Sequence, residues 1–546
     1  MDERELKARN IASHLDRTAS SYPDRPAVIH PFSSTVGVSC ETTSFSQLHD
    51  TSLSYAEQLK KGGVIAGDRV LMMVPPGADL LASVYALFRL RALPIFIDPG
   101  MKRQHLLQCI ERSQPKHMLG IPKAHWISRL FPKAFASIKK RFSLGKSAYL
   151  ALADVLRPIR PNTSPDDYQD PSGEELAAIL FTSGSTGPPK GVQYRVRHFH
   201  AQIEMLKSHF DINPKHLDLP LLPVFALFNP ALGMGSVIPR VNAAAPASLN
   251  PAHIVDLIQR FQIQHSFGAP VLWKKISRYL ESESIVLQSL EKILMAGAPV
   301  PPSLLEVMRK VTPNGKVLTP YGATEGLPIC VIDGETILRE TADLTRSGKG
   351  ICVGSPLDQI KLRIEPLENV DPSDFANTAT GVMGEILVSG PVVTDTYDAL
   401  PEETLASKLK FEGQVWHRMG DVGYLDQKGK LWFCGRLGHI VSHNSTALFS
   451  VCVEAHFNEH PDVERSALIQ VNKNNEVVPA LALELKDPGG VNIQTLKHEL
   501  LSISEENHLE TITNYYLHPS FPVDVRHNAK IHRKELGAWA AHHHPL

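Results

Sequence analysis

Helix-length and strand-length patterns alternate through the first half of the chain, and this alternation restricts the fold more than any other feature. Phe45 to Lys61 places apolar residues at spacings of three and four, the period of a helix with one buried face. The run Gly67 to Val74 reads as a buried strand closed by Pro75-Pro76-Gly77. A helix from Ala78 to Arg89 follows, and then the short apolar run Leu93 to Ile97. Asn10 is placed to cap a helix running to Tyr22. Asn250-Pro251, a cap followed by proline at the first helical position, opens another helix, leading to a strand near Gln262–Ser266 and a turn at Gly268-Ala269-Pro270. Strand–helix–strand order predicts an α/β fold, with parallel sheets covered by helices.

The texture changes from Gly381 to Phe433, where short alternating runs (EILVSG, VGYLD, KLWFCG) are broken by glycine and aspartate, the pattern of antiparallel hairpins. Mixed helix and strand patterns resume after Arg436-Leu437-Gly438. The expected division is a large domain over residues 1–437, with a β-rich subdomain from about 381, and a small mobile α+β domain over 438–546.

Charge removes one class of function. With 56 Lys and Arg against 57 Asp and Glu, the chain has no overall field for gathering nucleic acid, so selectivity for a phosphate must be local. The six cysteines have no CxxC spacing and the N-terminus lacks an apolar leader, which predicts a cytoplasmic protein. Leu219 to Pro239 reaches membrane-spanning length, but Pro220, Pro223, Pro230, Gly233 and Gly235 would break a helix, so it reads as core and pocket wall. Between Phe131 and Leu150 five basic residues alternate with apolar ones. This pattern predicts a solvated helix face, with peripheral membrane or partner contact as the alternative.

Four separated motifs carry chemistry. Directly after the apolar run Leu176–Phe181 stands Thr182-Ser183-Gly184-Ser185-Thr186-Gly187-Pro188-Pro189-Lys190-Gly191. Hydroxyls and backbone N–H groups at a strand-to-loop junction suit a polyphosphate, with Lys190 offsetting charge, although the spacing is not that of a Walker loop. The second motif is Tyr321-Gly322-Ala323-Thr324-Glu325, with Gly297-Ala298-Pro299 upstream. Its ring suits a base, and its threonine and glutamate suit phosphate and a hard cation such as Mg2+. Alone, it is also compatible with a turn. The third, Trp416 to Asp421 with Gly435-Arg436, offers a carboxylate for ribose hydroxyls and a guanidinium for phosphate. The fourth is Lys530, which is informative only alongside the others.

Together these residues resemble the AMP-forming superfamily of acyl-CoA synthetases, peptide-synthetase adenylation domains and luciferases, over Asn10 to Leu536. The resemblance implies ATP and Mg2+ as cofactors. It assigns the β- and γ-phosphates to Thr182–Lys190, Mg2+ to Glu325, and phosphate to Thr324. Adenine and the acyl carboxylate fall to Tyr321, Gly322 and Gly297-Ala298-Pro299, and ribose to Asp421. Arg436 becomes the arginine before the hinge, Gly438 the hinge, and Lys530 the bridge between carboxylate and α-phosphate.

Two departures bear on the fate of the acyl-AMP. Acyl-CoA synthetases continue past the hinge with an Ile-Lys pair and a glycine loop. Here His439-Ile440-Val441-Ser442-His443-Asn444-Ser445-Thr446 has neither the lysine nor the glycine, which weakens the case for coenzyme A. In the acyl pocket, Phe225, Ala226, Phe228 and Asn229 supply no carboxylate for an α-ammonium. With Leu221, Leu222, Leu232 and Met234 nearby, they predict a long alkyl chain. These variants, with GPPKGVQYRVRHF and HNAKIHRKELGAWA, resemble the olefin-biosynthesis β-lactone synthetases. That resemblance implies a 2-alkyl-3-hydroxy fatty acid as substrate, ring closure by its own hydroxyl, and a place among other enzymes of hydrocarbon biosynthesis. His439 and His443 are candidates to take the hydroxyl proton. A long-chain acyl-CoA synthetase and a non-catalytic adenylate-binding scaffold remain as alternatives.

Overall fold

A computed structural model describes residues 9–31, 40–144, 153–182, 189–239, 241, 248–367, 378–444, 446–473, 476–523 and 530–546. The predicted alternation builds two large sheets. In the first, of seven strands, Arg69–Met73, Leu93–Ile97, His117–Gly120, Lys140–Leu144, Asp154–Leu156 and Leu176–Thr182 run parallel, and Lys190–Arg195 closes the edge antiparallel. The helices Phe45–Lys61 and Ala78–Arg89 have the predicted bounds. Ser44 caps the former by accepting from the Gln47 N–H while the Gln47 side chain accepts from the Ser44 N–H.

The second sheet has fourteen strands and changes character along its width. Pro26–Pro31, Gly235–Val237, Leu217–Pro220, His265–Gly268, Lys292–Met295 and Lys316–Ala323 are parallel neighbours. From Gly326–Asp333 onward every pairing is antiparallel, through Ile351–Pro356, Leu431–Arg436, Gln414–Leu425, Gly384–Ser389 and Lys361–Pro366. A separate three-stranded sheet, Val463–Lys473, Glu476–Leu485 and Asn514–Leu517, carries the helices Ser450–Asn458, Ile493–Glu506 and Arg533–Ala540.

Three expectations are corrected. Residues 131–144 form no helix: turns lead into the strand Lys140–Leu144, and the apolar residues Ala134, Phe135 and Ile138 are buried. Lys140–Leu144 is an inner strand of the first sheet, and Phe142, Ser143 and Leu144 are all buried. The strand expected at Gln262–Ser266 lies at His265–Gly268, so Gly268-Ala269-Pro270 is a strand-to-helix junction in which Pro270 opens the helix Pro270–Ser282. The first helix runs Ser13–Ser21, and Asn10 serves the turn before it. Its side chain accepts from the Ala12 N–H (3.0 Å) and donates to the Phe88 carbonyl (2.8 Å).

No helix among the described residues is long and apolar enough to cross a membrane. Leu219–Pro239 instead forms the strands Leu217–Pro220 and Gly235–Val237 with short helical turns between them.

Candidate active site

A cavity of about 2240 Å³ lies where the two large sheets meet the C-terminal unit, and most of the motif residues face it. Its nucleotide end is built by strand register. Asp421 pairs across the sheet with Arg436, and Tyr321, from the Lys316–Ala323 strand of the same sheet, donates its hydroxyl to Asp421 Oδ2 (2.6 Å). Arg436 Nη1 forms an ion pair with Asp421 Oδ1 at 2.9 Å and also donates to the Met419 carbonyl at 3.2 Å. Asp421 Oδ1 is buried, and among the described residues no donor meets it with hydrogen-bond geometry. A buried carboxylate oxygen without a donor fits a ligand that brings its own O–H groups, as a ribose does. Burial raises the Asp421 carboxyl above its ordinary range, against the opposing Arg436 charge, the Tyr321 hydrogen bond and the Lys530 charge. Lys530 lines the same cavity. Gly297, at φ +91°, turns the chain after Lys292–Met295 so that Gly297-Ala298-Pro299 lines the cavity.

The phosphate end is a cationic cluster around one acid. Glu325 occupies the turn between Lys316–Ala323 and Gly326–Asp333, and its Oε1 accepts from the Tyr397 hydroxyl at 2.7 Å. The Lys190 strand is sewn to the segment 395–398, which follows the strand Gly384–Ser389, with Asp398 N–H donating to the Gly191 carbonyl (2.7 Å) and Arg69 paired with Asp398 (2.7 Å). This brings Lys190 Nζ to 4.9 Å from the Tyr397 ring centre, with Lys408 Nζ 5.5 Å from it.

Lys408 is buried, donates to the Thr394 carbonyl (2.6 Å), and is pushed down to about 7, by burial first and Lys190 second, against the pull of Glu325 and Asp395. His417 Nδ1 lies 3.2 Å from the Ser407 carbonyl. A carbonyl only accepts, so Nδ1 carries the proton and Nε2 is left as an acceptor. Burial, then the Lys408 charge, depress His417 to about 3, so the imidazole is neutral near pH 7. Burial alone would raise the Glu325 carboxyl, but the Lys408 charge and the Tyr397 hydrogen bond oppose it, and Glu325 is held below its usual range.

Among the described residues no group of three or more His, Cys, Asp and Glu could hold a metal ion unaided. One ionised carboxylate in a cavity that Lys190 also lines nevertheless suits Mg2+, which takes few protein ligands and completes its shell with other oxygens and water.

The acyl end is apolar. Leu221, Leu222, Phe225, Phe228 and Phe267 line it, with the rings of Phe225 and Phe267 3.9 Å apart. Two residues assigned to this pocket from the sequence lie behind its wall. Ala226 packs into the core, and Asn229 turns away to donate to Asp218 (2.7 Å) and Ser236 (2.9 Å). Asp218 is fully buried, and its need for a donor determines where Asn229 points. Leu232 and Met234 likewise pack with Ile203 and Ala231, away from the cavity.

The structure thus brings Lys190, Gly297, Ala298, Pro299, Tyr321, Gly322, Thr324, Glu325, Asp421, Arg436, Gly438 and Lys530 to one cavity. Ser183, Gly184, Ser185 and Thr186 lie outside the described residues, and Thr182 ends the strand before them. His439 and His443 do not line the cavity; His417 does. Sequence reasoning assigned no role to Tyr397, Lys408 or His417. His417 stood inside a quoted motif, whereas nothing in the local pattern marks Tyr397 or Lys408.

Residues 15–398 match the family model described as AMP-binding enzyme. The chain belongs to the AMP-binding enzyme family. Among its relatives, the olefin beta-lactone synthetase of Stenotrophomonas maltophilia (strain K279a) is 38% identical, over 97% of this chain and 98% of that protein. The olefin beta-lactone synthetase of Xanthomonas campestris pv. campestris is also 38% identical, over 97% of each. The AMP-binding fold is shared with the amide bond synthetase McbA of Marinactinospora thermotolerans, at a TM-score of 0.79 and 21% identity over 97% of this chain and 99% of that one.

Proposed function

We propose that this enzyme uses Mg-ATP to adenylate a long-chain 2-alkyl-3-hydroxy fatty acid and then closes a β-lactone. The observation that carries the reading is the nearly full-length similarity to two olefin beta-lactone synthetases. The apolar acyl wall agrees with it. In the first step a carboxylate oxygen attacks the α-phosphorus and pyrophosphate leaves. Lys530, on the cavity wall, opposes the charge that accumulates as two anions meet, and Lys190 stands at the pyrophosphate end. Glu325 would hold Mg2+ together with phosphate oxygens, and the bound ion would supply further neutralisation. In the second step the substrate's 3-hydroxyl oxygen attacks the acyl carbon. The C–O bond of the lactone forms, AMP leaves with the electrons of the mixed anhydride, and the hydroxyl proton is released. The neutral His417 imidazole offers an acceptor in this cavity for orienting that hydroxyl.

The two steps are assigned to two orientations of residues 438–546 about Gly438. In support, Gly438 lies in the exposed 3-10 turn Leu437–His439, between the last strand of the large sheet and the separate three-stranded sheet. The test compares a 2-alkyl-3-hydroxy acid with its analogue lacking the hydroxyl, without coenzyme A. The hydroxy acid is expected to release AMP over many turnovers, and the analogue to stop after about one acyl-AMP per enzyme. Equal turnover of both would contradict ring closure.

A further inference from the structure

The helix Pro122–Leu130 borders the cavity and presents to solvent a face that no other part of the described chain covers. Its inner face buries Ala124, His125 and Ser128, and His125 is tied to the Phe142 carbonyl at 3.0 Å. Lys123, Ala124 and Ile127 line the cavity itself. On the outer face Trp126 and Leu130, one helical turn apart, are each 63% exposed. Large apolar side chains at i and i+4, both outward, are not what a helix with an inward apolar stripe needs.

The charge around them is equally one-sided. Between Lys102 and Lys146 the sequence holds eleven Lys and Arg and a single acid, Glu111, although the whole chain carries 56 basic and 57 acidic residues. Lys123, Arg129, Lys133 and Lys139 are exposed, Lys133 at 91%. The acids that reach this region are few: Asp68 stands 2.7 Å from Lys116, Glu111 3.9 Å from Lys133 and Asp154 2.9 Å from Lys140. Arg141 is held below its ordinary value, by burial first and by the like charge of Arg129 second, so the cations crowd one another.

From these observations we infer that the outer face of Pro122–Leu130, with the basic residues around it, docks the enzyme on an anionic phospholipid surface. An exposed tryptophan and leucine ringed by Lys and Arg match such a surface in both of its properties. The apolar pair enters the headgroup boundary, and the cations pair with lipid phosphates. The residues 131–144 contribute charge only, because their apolar side chains are spent on the core. On the proposed function, docking sets the cavity wall against the phase in which a long-chain acid dissolves. That consequence rests on the long-chain reading, whereas the docking itself does not.

The experiment is sedimentation of the full chain with vesicles of equal phosphatidylglycerol and phosphatidylcholine, or of phosphatidylcholine alone, without ATP or acyl substrate. Binding is expected only to the anionic vesicles, weakening in 0.5 M salt by about tenfold or more. Trp126→Ser/Leu130→Ser and Arg129→Gln/Lys133→Gln should each weaken it by at least about tenfold, while adenylation of a short, water-soluble 3-hydroxy acid and the circular dichroism spectrum stay those of the parent. Failure of the parent to bind, indifference to lipid charge, or undiminished binding by both variants would overturn the inference. Absence of lactone from a long-chain 2-alkyl-3-hydroxy acid would instead count against the proposed function and leave vesicle binding as it is.

Discussion

The two ends of the cavity are built on different principles. The nucleotide and phosphate end consists of few residues in fixed register: Asp421 opposite Arg436, Tyr321 reaching Asp421 across strands, and Glu325 held by Tyr397. The acyl end consists of interchangeable apolar side chains, such as Phe225 against Phe267. Charge and hydrogen bonding require particular atoms at particular distances, whereas an alkyl chain needs only dry surface of the right shape. Substitutions at the first end should therefore damage the reaction sharply, and those at the second should change substrate preference.

The largest effect is expected at Lys530. Lys530→Ala should cost about 3 kcal/mol of transition-state stabilisation, a loss of about a hundredfold or more in pyrophosphate exchange, with little change in melting temperature. Asp421→Ala follows. It removes the buried oxygen awaiting a donor, and the KM for ATP should rise by about tenfold or more, as expected for loss of charge-assisted hydrogen bonds worth about 2 kcal/mol. A KM for ATP within a factor of two of the parent's would remove Asp421 from the nucleotide site.

At the other end, Phe225→Ala should raise the KM for a long-chain acid about tenfold, from about 1.5 kcal/mol of lost apolar contact, and leave the KM for ATP unchanged. If it altered both equally, the division of the cavity into two ends would be wrong.

The smallest effect concerns Lys408. Its folded value is lowered to about 7 from an ordinary 10.5. Between those values the unfolded chain holds a proton that the folded chain has released, so stability rises with pH across that window and is reduced below it. The melting temperature of the ligand-free enzyme should show this contribution between pH 7 and pH 9. Lys408→Met should remove it; an identical slope in parent and variant would show that Lys408 does not titrate there.

The same contrast explains what could be read in the sequence. The helices Phe45–Lys61 and Ala78–Arg89 were legible because their apolar period is local, and the Tyr321–Glu325 and Asp421 motifs because rare residue types recur at fixed spacing. Lys408 and Tyr397 were not, because they enter the site through the docking of Lys190–Arg195 against 395–398, more than 200 residues apart in the sequence. Asn229 was misplaced because its direction is set by the buried carboxyl of Asp218, eleven residues away. The segment 131–144 looked helical in composition, but its end pairs in parallel with His117–Gly120 as an inner strand, and Phe142, Ser143 and Leu144 are all buried there.

The central claim is that the acyl-AMP made at the polar end is consumed by the substrate's own hydroxyl, and product identity tests it most directly. A 2-alkyl-3-hydroxy fatty acid incubated with the enzyme and Mg-ATP, without coenzyme A, should yield the β-lactone and AMP by mass and NMR. Acyl-AMP that persists until coenzyme A is added, and then becomes acyl-CoA, would contradict it.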